Sequence, residues 1–288
     1  MRSVIVKSGI AIGSMFVLSA CSSATTPPIA TAPSYQTFSA AISNSTNATP
    51  TPLGGTAIRS NGTTAALDIT NTTGTIDHTT GEVSVVDGTY TLTDASGLDA
   101  ANLLTDGSAT LAVTKSAIST SSYDYVVTVS EQYTSGVTSY DSTGFLGVVA
   151  GAADIPSAGS ATYTGASDAT ITTAGSTQRL TGGTSTLEAD FSAGSAQLTM
   201  TGFTTSTPAL LDTITATGMG ISGNTLSGGT LETLLNSAPV NLTGTNTVSG
   251  ASANFFGYDA TNSIPDEVAG VILLDGDSGI ISGAFVAD

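Results

Sequence analysis

Residues 251–288 read ASANFFGYDATNSIPDEVAGVILLDGDSGIISGAFVAD, and this stretch decides the fold class of the chain. Two apolar runs, Glu267–Leu274 and Ile280–Ala287, flank the segment DGDSG at residues 275–279. Short runs rich in Val, Ile and Phe, bounded by Gly and Asp, are typical of β-strands. A five-residue connection with two glycines favours a hairpin with a longer loop. We therefore expect a C-terminal β-hairpin whose last strand is held in a sheet.

The composition favours an exported all-β protein. The 288-residue chain has 33 glycines and no tryptophan, and 9% of its residues are charged, against about 25% in typical globular domains. Hydrophobic residues make up 40% of the chain and occur in short patterned runs, which separates it from a disordered chain. Long helical patterns are missing, so the short runs indicate strands.

The charge balance is strongly acidic. Five Lys and Arg stand against 22 Asp and Glu, for a formal net charge of −17, and two of the cations, Arg2 and Lys7, precede Cys21. Phosphate backbones repel such a chain, so nucleic acid is not an expected partner. Two interpretations of the acidity stay open: attraction to a basic protein surface or to cations, and plain solubility of an extracellular protein.

The first twenty residues predict a lipoprotein signal peptide. Arg2 and Lys7 form a basic start, and Ile10–Leu18 is an apolar run that falls short of the roughly 20 residues of a membrane span. The following Leu18-Ser19-Ala20-Cys21 resembles a bacterial lipobox. This resemblance implies that Leu18, Ser19 and Ala20 form the signal-cleavage site, with cleavage just before Cys21. It also implies a lipid anchor in the membrane through Cys21.

The number of acyl chains and the residue after Cys21 both bear on the anchor. Several acyl chains anchor a protein stably, whereas one chain binds only marginally. Ser22, rather than Asp, follows the cysteine, and in lipoproteins of Gram-negative bacteria this favours the outer membrane. Cys21 is also the only cysteine of the chain, so the fold must stand without an intramolecular disulfide.

Residues 21–55 predict a disordered Ser/Thr/Pro tether. The segment up to Gly55 carries five prolines and no charged residue, so it cannot bury enough apolar surface to offset its ordering entropy. Such a linker would hold a folded body away from the membrane. Tyr35 and Phe38 are its only aromatic residues, and they leave open a second interpretation, a short docked strand.

Residues 56–152 predict an antiparallel, handle-like β domain. Val83–Val86 and Thr89–Leu92 are separated by Asp-Gly, the strongest short hairpin signal. Three further strands are expected, at Ser108–Thr114, Tyr123–Tyr133 and Thr143–Val149. Ser96–Leu104 is expected to form one or two helical turns. The tyrosines of the second of these strands are either half-buried strand residues or a recognition face.

Residues 153–288 predict an eight-stranded antiparallel β-barrel, after a boundary at Ala152–Pro156. In Thr186–Phe191 and Ser195–Gly202, apolar and polar residues alternate on both sides of a Ser-Ala-Gly turn. Period-two patterning on both arms of a tight turn indicates a hairpin with one buried face. About eight such segments follow Gly159, which is enough to close a small barrel filled by side chains and to remove exposed sheet edges.

Four short motifs resemble a known family. The segment GSATYTG at 159–165 is similar to the opening barrel strand of transferrin-binding protein B-like lipoproteins, and FFG at 255–257, EVAGV at 267–271 and GAF at 283–285 resemble the closing strands. The resemblance covers residues 120–288 by motif and the earlier part by composition. It implies a handle domain ahead of an eight-stranded barrel, in a surface lipoprotein that binds a protein or solute.

The sequence departs from that pattern at Tyr258–Asp266, which is longer than the family's usual connection. We place candidate ligand-binding residues there: Tyr258, Asp259 and Asn262. Two other predicted loops, Thr204–Leu211 and Thr230–Val240, are further candidate contact surfaces. Within the latter, Leu231–Leu235 has a second interpretation, a short helix packed on the barrel.

No pattern predicts catalysis, a metal or a cofactor. The single histidine, His78, lies in a turn-like context, and a loop histidine is more often solvated than catalytic. Gly218–Gly223 matches GxGxxG without the βαβ context that gives this motif meaning. Asp275 and Asp277 lack the further ligands of a calcium loop. Glu188 and Asp190 share a strand face that we expect to be solvated.

The function expected from these features is that of a non-enzymatic outer-membrane lipoprotein, exposed at the surface of a Gram-negative cell. It would bind an extracellular protein or small solute through barrel and handle loops, in company with an outer-membrane receptor. The alternative is a structural or adhesive envelope lipoprotein with no dedicated ligand. Fold resemblance alone does not identify the ligand.

Overall fold

All described residues belong to one compact unit, Ala32–Asp288. A computed structural model describes the following residues: 35–43, 49–61, 67–77, 82–86, 90–93, 102–106, 109–114, 118, 123–135, 138–173, 176–204, 212–235, 238–239, 242 and 248–288.

The first half forms a short helix and an eight-stranded antiparallel sheet, the handle sheet. Helix α1 spans Phe38–Ser43. The strands are β1 Thr51–Asn61, β2 Leu67–Asp77, β3 Glu82–Val86, β4 Tyr90–Thr93, β5 Asn102–Asp106, β6 Ala109–Thr114, β7 Val126–Ser135 and β8 Thr138–Val148. Their order in the sheet is β4-β3-β2-β1-β8-β7-β6-β5, so the first strand pairs with the last.

The second half forms a closed eight-stranded antiparallel barrel after a 3-10 turn at Ala152–Asp154. Its strands are β9 Ser160–Thr173, β10 Ser176–Asp190, β11 Ser195–Thr201, β12 Thr213–Ser222, β13 Thr225–Leu235, β15 Val248–Phe256, β16 Glu267–Gly276 and β17 Gly279–Ala287. Strand β17 pairs with β9, and β12 pairs with β13, which closes the barrel. The two-residue strand β14, Ala238–Pro239, pairs with the end of β13. The predicted fold class is confirmed.

The alternation predicted for β10 and β11 is present in the structure. Leu187 and Leu198 are directly paired and fully buried in the barrel core, whereas Glu188 and Gln197, the next pair along, are exposed. Successive side chains of a strand point to opposite faces, so the polar half of each strand is solvated. Glu188 and Asp190 are accordingly exposed, as expected.

The C-terminal hairpin is confirmed, but its loop is shorter than predicted. Gly276 pairs with Gly279, so only Asp277 and Ser278 lie between the strands. Asp275 belongs to β16 and pairs with Ile280 of β17. Both strands continue past the apolar runs into the polar DGDSG segment. Backbone pairing at a strand end depends only weakly on the polarity of the side chains.

The handle sheet packs one face against the outer wall of the barrel. Phe145 and Val126 of the handle contact Val271 and Val286 of the barrel in a cluster that is separate from the barrel core. Strand β16 is therefore buried on both faces over eight residues. This explains why it reads as a continuous apolar run rather than as an alternating one.

Two predicted elements are corrected by the structure, and a third lies largely outside the described residues. Residues 102–104, expected in a helical turn, belong to strand β5, and residues 94–101 lie outside the described part. Leu231–Leu235, expected in a loop or a helix, continues strand β13, because this segment pairs with β12 as far as Leu234. Residues 205–211 of the first predicted loop lie outside the described residues.

The end of the predicted tether is ordered in the structure. Helix α1 begins at Phe38, whose side chain is 2% exposed, and β1 begins at Thr51. The element at Tyr35 and Phe38 is thus a docked helix, not a docked strand. The apolar side chains of Phe38 and Ala41 are buried, which offsets part of the ordering entropy of this segment.

Replacement of Leu198 by Ala tests the barrel register. Leu198→Ala leaves a cavity beside Leu187 and should lower the free energy of unfolding by about 3 kcal/mol. Gln197→Ala, at the exposed neighbouring position, should change it by less than about 0.5 kcal/mol. Urea unfolding followed by circular dichroism measures both values. Equal effects of the two substitutions would contradict the assigned register.

Candidate functional site

The FFG motif at residues 255–257 joins the barrel to the handle. Phe255 points into the barrel, with its ring centroid 5.8 Å from that of Tyr163 and 5.9 Å from that of Phe191. Phe256 points outward into the handle–barrel cluster and is fully buried. Successive side chains of a strand point to opposite faces. The motif therefore supplies one phenylalanine to the barrel core and one to the handle–barrel cluster.

Backbone hydrogen bonds connect the handle to the barrel beside this motif. We call this junction, where residues 148–150 meet residues 255–257, the seam. The amide of Ala150 donates to the Phe255 carbonyl at 2.9 Å, and the amide of Gly257 donates to the Val148 carbonyl at 3.0 Å. Val149 and Phe256 form an isolated antiparallel bridge. The chain leaving the handle thus runs as a short extra strand along the end of β15.

Glu267 places a carboxylate inside the seam. It opens strand β16, is 3% exposed, and accepts hydrogen bonds from the backbone amides of Asp124, at 2.5 Å, and Tyr125, at 3.1 Å. Burial raises the pKa of the Glu267 carboxyl to about 7, although the two amide donors act to lower it. Burial also raises the pKa of Asp266, with Asp259, Asp124 and Asp288 adding to the shift.

Helix α1 and the residues before it dock on the seam. The amide of Phe38 donates to the Asp124 carbonyl at 2.7 Å. The Tyr35 hydroxyl donates to a carboxylate oxygen of Asp154 and accepts from the amide of Gly151. Burial and the bond to Asp154 raise the pKa of Tyr35 to about 12, so its hydroxyl stays protonated and able to donate at any physiological pH.

The Tyr258–Asp266 loop, the seam loop, leaves this region as a tight turn. Asp259 and Ile264 form an antiparallel bridge, and the amide of Ser263 donates to the Asp259 carbonyl at 2.8 Å. Ser263 has a left-handed φ of 58°, a conformation that a non-glycine residue adopts only when its surroundings hold it there. The tip, residues 260–263, is exposed.

The structure brings together two of the three predicted ligand-binding residues. Asp259 accepts hydrogen bonds from the Thr261 amide at 2.7 Å, from the Asn262 amide and from the Asn262 side chain. These donors lower the pKa of Asp259, so its carboxylate remains charged. Tyr258 lies apart from this pair, with its ring 6.4 Å from that of Tyr35.

The remaining candidate positions give no further site. Residues 18–21 and His78 lie outside the described residues. Gly218–Ser222 is part of strand β12, so the glycine pattern does not form a phosphate loop before a helix. Among the described residues, no group of three His, Cys, Asp or Glu could hold a metal ion. The helices in the described part include none that could cross a bilayer.

The comparisons with known proteins show similarity in fold. No protein-family model matches the sequence, and no curated protein matches it. The chain is similar to a double mutant of Transferrin Binding Protein B from Haemophilus parasuis Hp5, with a TM-score of 0.51 and 16% identity over 81% of this chain and 44% of that one. A single mutant of that protein gives a TM-score of 0.49 and 17% identity over 81% and 44% of the two chains. The isotype 1 Transferrin binding protein B from serogroup B Neisseria meningitidis gives a TM-score of 0.47 and 21% identity over 81% of this chain and 42% of that one.

The resemblance predicted from the motifs is thus confirmed at the level of the fold. The chain spans less than half the length of these structures, and identities of this size carry over neither ligand nor binding residues. In this chain, the architecture is a handle sheet packed on an eight-stranded barrel.

Sequence reasoning missed Tyr35, Asp154 and Glu267 as the polar residues of the seam. A signal was present for two of them. Tyr35 is one of two aromatic residues in a Pro-rich segment, and Glu267 is a charged residue at the start of a long apolar run. Nothing local indicated their partners, since Tyr35 and Asp154 are 119 positions apart.

The buried carboxyl of Glu267 should make stability depend on pH. Its pKa is raised from 4.5 in the reference state to about 7 in the folded protein, so the unfolded chain releases the proton first as pH rises. Stability should therefore fall between pH 4.5 and 7, by roughly 3 kcal/mol. Glu267→Gln should flatten this dependence, as measured by urea unfolding at several pH values.

The control for this experiment is Glu188→Gln, which removes an exposed acid from the barrel wall and should leave the pH dependence unchanged. If Glu267→Gln loses stability between pH 4.5 and 7 as steeply as the parent protein, the dependence arises elsewhere.

Gly257→Ala tests the contact of the seam with Tyr125. Gly257 has a φ of 59°, and an added Cβ would lie 2.4 Å from Cδ2 of the Tyr125 ring. The left-handed conformation and the clash together should cost about 2 to 4 kcal/mol of unfolding free energy.

Gly250→Ala is the matched control, because a Cβ at Gly250 meets nothing within 4 Å. It should change stability by no more than about 0.5 kcal/mol. Thermal and urea unfolding measure both variants, and a Gly257→Ala variant as stable as Gly250→Ala would disprove the close approach.

Proposed function

We propose that this protein is a lipid-anchored outer-membrane lipoprotein that presents its seam loop at the cell surface to bind a protein ligand. The anchor is Cys21, within a segment that resembles a lipobox, and the part of the predicted tether ahead of the docked Tyr35 is the proposed spacer. The fold, shared with structures of transferrin-binding protein B, supports a binding role rather than an enzymatic one. No cofactor is required.

The observation that carries the proposal is the pre-ordered, exposed seam loop. Its tip fills no core, and yet five hydrogen bonds that involve Asp259 hold it in one conformation. A rigid loop loses little conformational entropy on binding. Strained positions such as Ser263 also concentrate at functional sites.

The shape and charge of this region favour a protein ligand with a basic surface. The tip of the seam loop is an exposed turn, whereas small solutes are usually bound in concave pockets. Asp259 is charged, and Asp124, Asp154 and Asp266 lie near the seam. Opposite charges across an interface speed association and discriminate between partners.

Capture experiments with loop variants test the ligand-binding proposal. Purified fragment 22–288 would be used to capture proteins from extracellular and host extracts at two salt concentrations. Asp259→Ala/Asn262→Ala loosens the loop and should weaken capture of a specific protein by at least about tenfold, or about 1.4 kcal/mol. A partner with a basic surface should also be lost at high salt.

The matched control is Asp190→Ala, which removes an equivalent bond, from the Ala193 amide to the Asp190 carboxylate, at the exposed turn between β10 and β11. It should leave capture unchanged. A partner retained equally by all variants would place the binding surface elsewhere. An envelope or adhesion defect on deletion, with no saturable ligand, would favour the structural alternative.

Protease treatment of intact cells tests the anchor and the display. The full-length protein should be cleaved by external protease and recovered with the outer membrane, whereas Cys21→Ser should be released from the membrane fraction. Protection in intact cells combined with cleavage after lysis would place the protein on the periplasmic side.

A further inference from the structure

The handle sheet and the barrel wall separate at the end of their interface away from the seam. A cleft of about 510 Å³ lies there, between the barrel-facing side of the handle and the outer face of β9, β10, β16 and β17. This volume is within the range of small-molecule sites, about 300 to 1,000 Å³. We call it the handle–barrel cleft.

The inner part of the handle–barrel cleft is apolar. Ile58 and Phe145 of the handle face Val271 and Ala284 of the barrel. Phe145 and Val271 are 2% and 1% exposed and belong to the packed cluster, whereas Ile58 and Ala284 are only partly buried. The packing of the two layers is thus incomplete here, and an apolar group could remove the remaining surface from water.

Among the residues that the structure describes, three charged ones line the mouth of the cleft. Arg179 donates to Asp168 at 3.3 Å, and the same Asp168 accepts from the Gly182 amide at 3.1 Å. The charges of Arg179 and Asp168 therefore cancel. Asp141 stands on the opposite side, on strand β8, and its side chain is exposed. The described lining residues of the mouth consequently carry one negative charge in excess.

The spacing of these groups sets the dimensions of a ligand. Asp141 and Phe145 lie four positions apart on β8, so their side chains point to the same face. At about 3.3 Å per residue, this separation is roughly 13 Å. A ligand that reaches both residues needs an apolar body of that length and one charged end.

We infer that the handle–barrel cleft binds a small cationic amphiphile, with its apolar body against the partly buried Ile58 and Ala284 and its positive charge at Asp141. An anionic amphiphile is disfavoured because the guanidinium of Arg179, the cation at the mouth, is already paired. The chain's formal net charge of −17 adds a long-range attraction for cations. The site is separate from the seam loop, so it does not depend on the proposed protein ligand.

Binding of three amphiphiles with the same chain tests this inference. The probes are decyltrimethylammonium, decyl sulfate and decanol, titrated below their micelle concentrations into fragment 22–288 and followed by calorimetry. This fragment retains every described element, all of which belong to the compact unit Ala32–Asp288. The expected result is saturable 1:1 binding, with decyltrimethylammonium bound most tightly and decyl sulfate least.

Charge variants at the mouth locate the bound cation. Asp141→Asn should weaken decyltrimethylammonium binding by about 2- to 5-fold, as expected for one exposed charge pair, and leave decanol unchanged. Asp141→Lys should reverse the preference in favour of decyl sulfate. Because Asp141 is exposed, neither substitution should lower the melting temperature, which circular dichroism checks.

A size variant and a loop variant complete the experiment. Ala284→Leu narrows the apolar part of the cleft and should weaken all three probes, whereas Asp259→Ala in the seam loop should affect none. The inference fails if no probe saturates, or if binding is the same in the Asp141 and Ala284 variants. Binding that responds to Ala284→Leu but not to charge at Asp141 would overturn the cationic assignment. None of these outcomes depends on capture of a protein by the seam loop.

Discussion

The structure depends on strand β16 being apolar on both faces. Val268 and Ile272 point into the barrel core, while Ala269 and Val271 point outward into the contact with the handle. An isolated barrel would expose this outer row as an apolar patch, which monomeric proteins rarely tolerate. Removal of this patch from water stabilises the pair of layers, so handle and barrel form one cooperative unit.

The polar groups of the seam follow from that apolar contact. Where strand β16 begins, the Glu267 carboxylate is buried but accepts two amide hydrogen bonds, which limits the cost of its burial. At the same end, Tyr35 links the N-terminal segment to Gly151 and Asp154. The FFG and EVAGV motifs therefore have architectural roles. They hold the barrel against the handle, and the proposed binding surfaces lie around this contact.

Two such surfaces differ in shape and thus in the ligands they suit. The tip of the seam loop is internally hydrogen-bonded and exposed, which suits contact with another protein. The handle–barrel cleft is concave with an apolar interior, which suits a small molecule. Both lie along the interface of two rigid layers, where side chains are held in place by packing on either side. Their shared negative charge favours positively charged partners.

The sequence by itself determined the β class and the barrel hairpins, because alternation along β10 and β11 and the Gly-rich turns are local properties. It misjudged residues 102–104 and Leu231–Leu235, where strand pairing overrides weak local preference. It also could not show that Asp259 and Asn262 bind each other, nor that Glu267 meets Asp124 across 143 positions. The buried seam and the cleft were decided only by the tertiary structure, since each arises from contacts between segments distant in the chain.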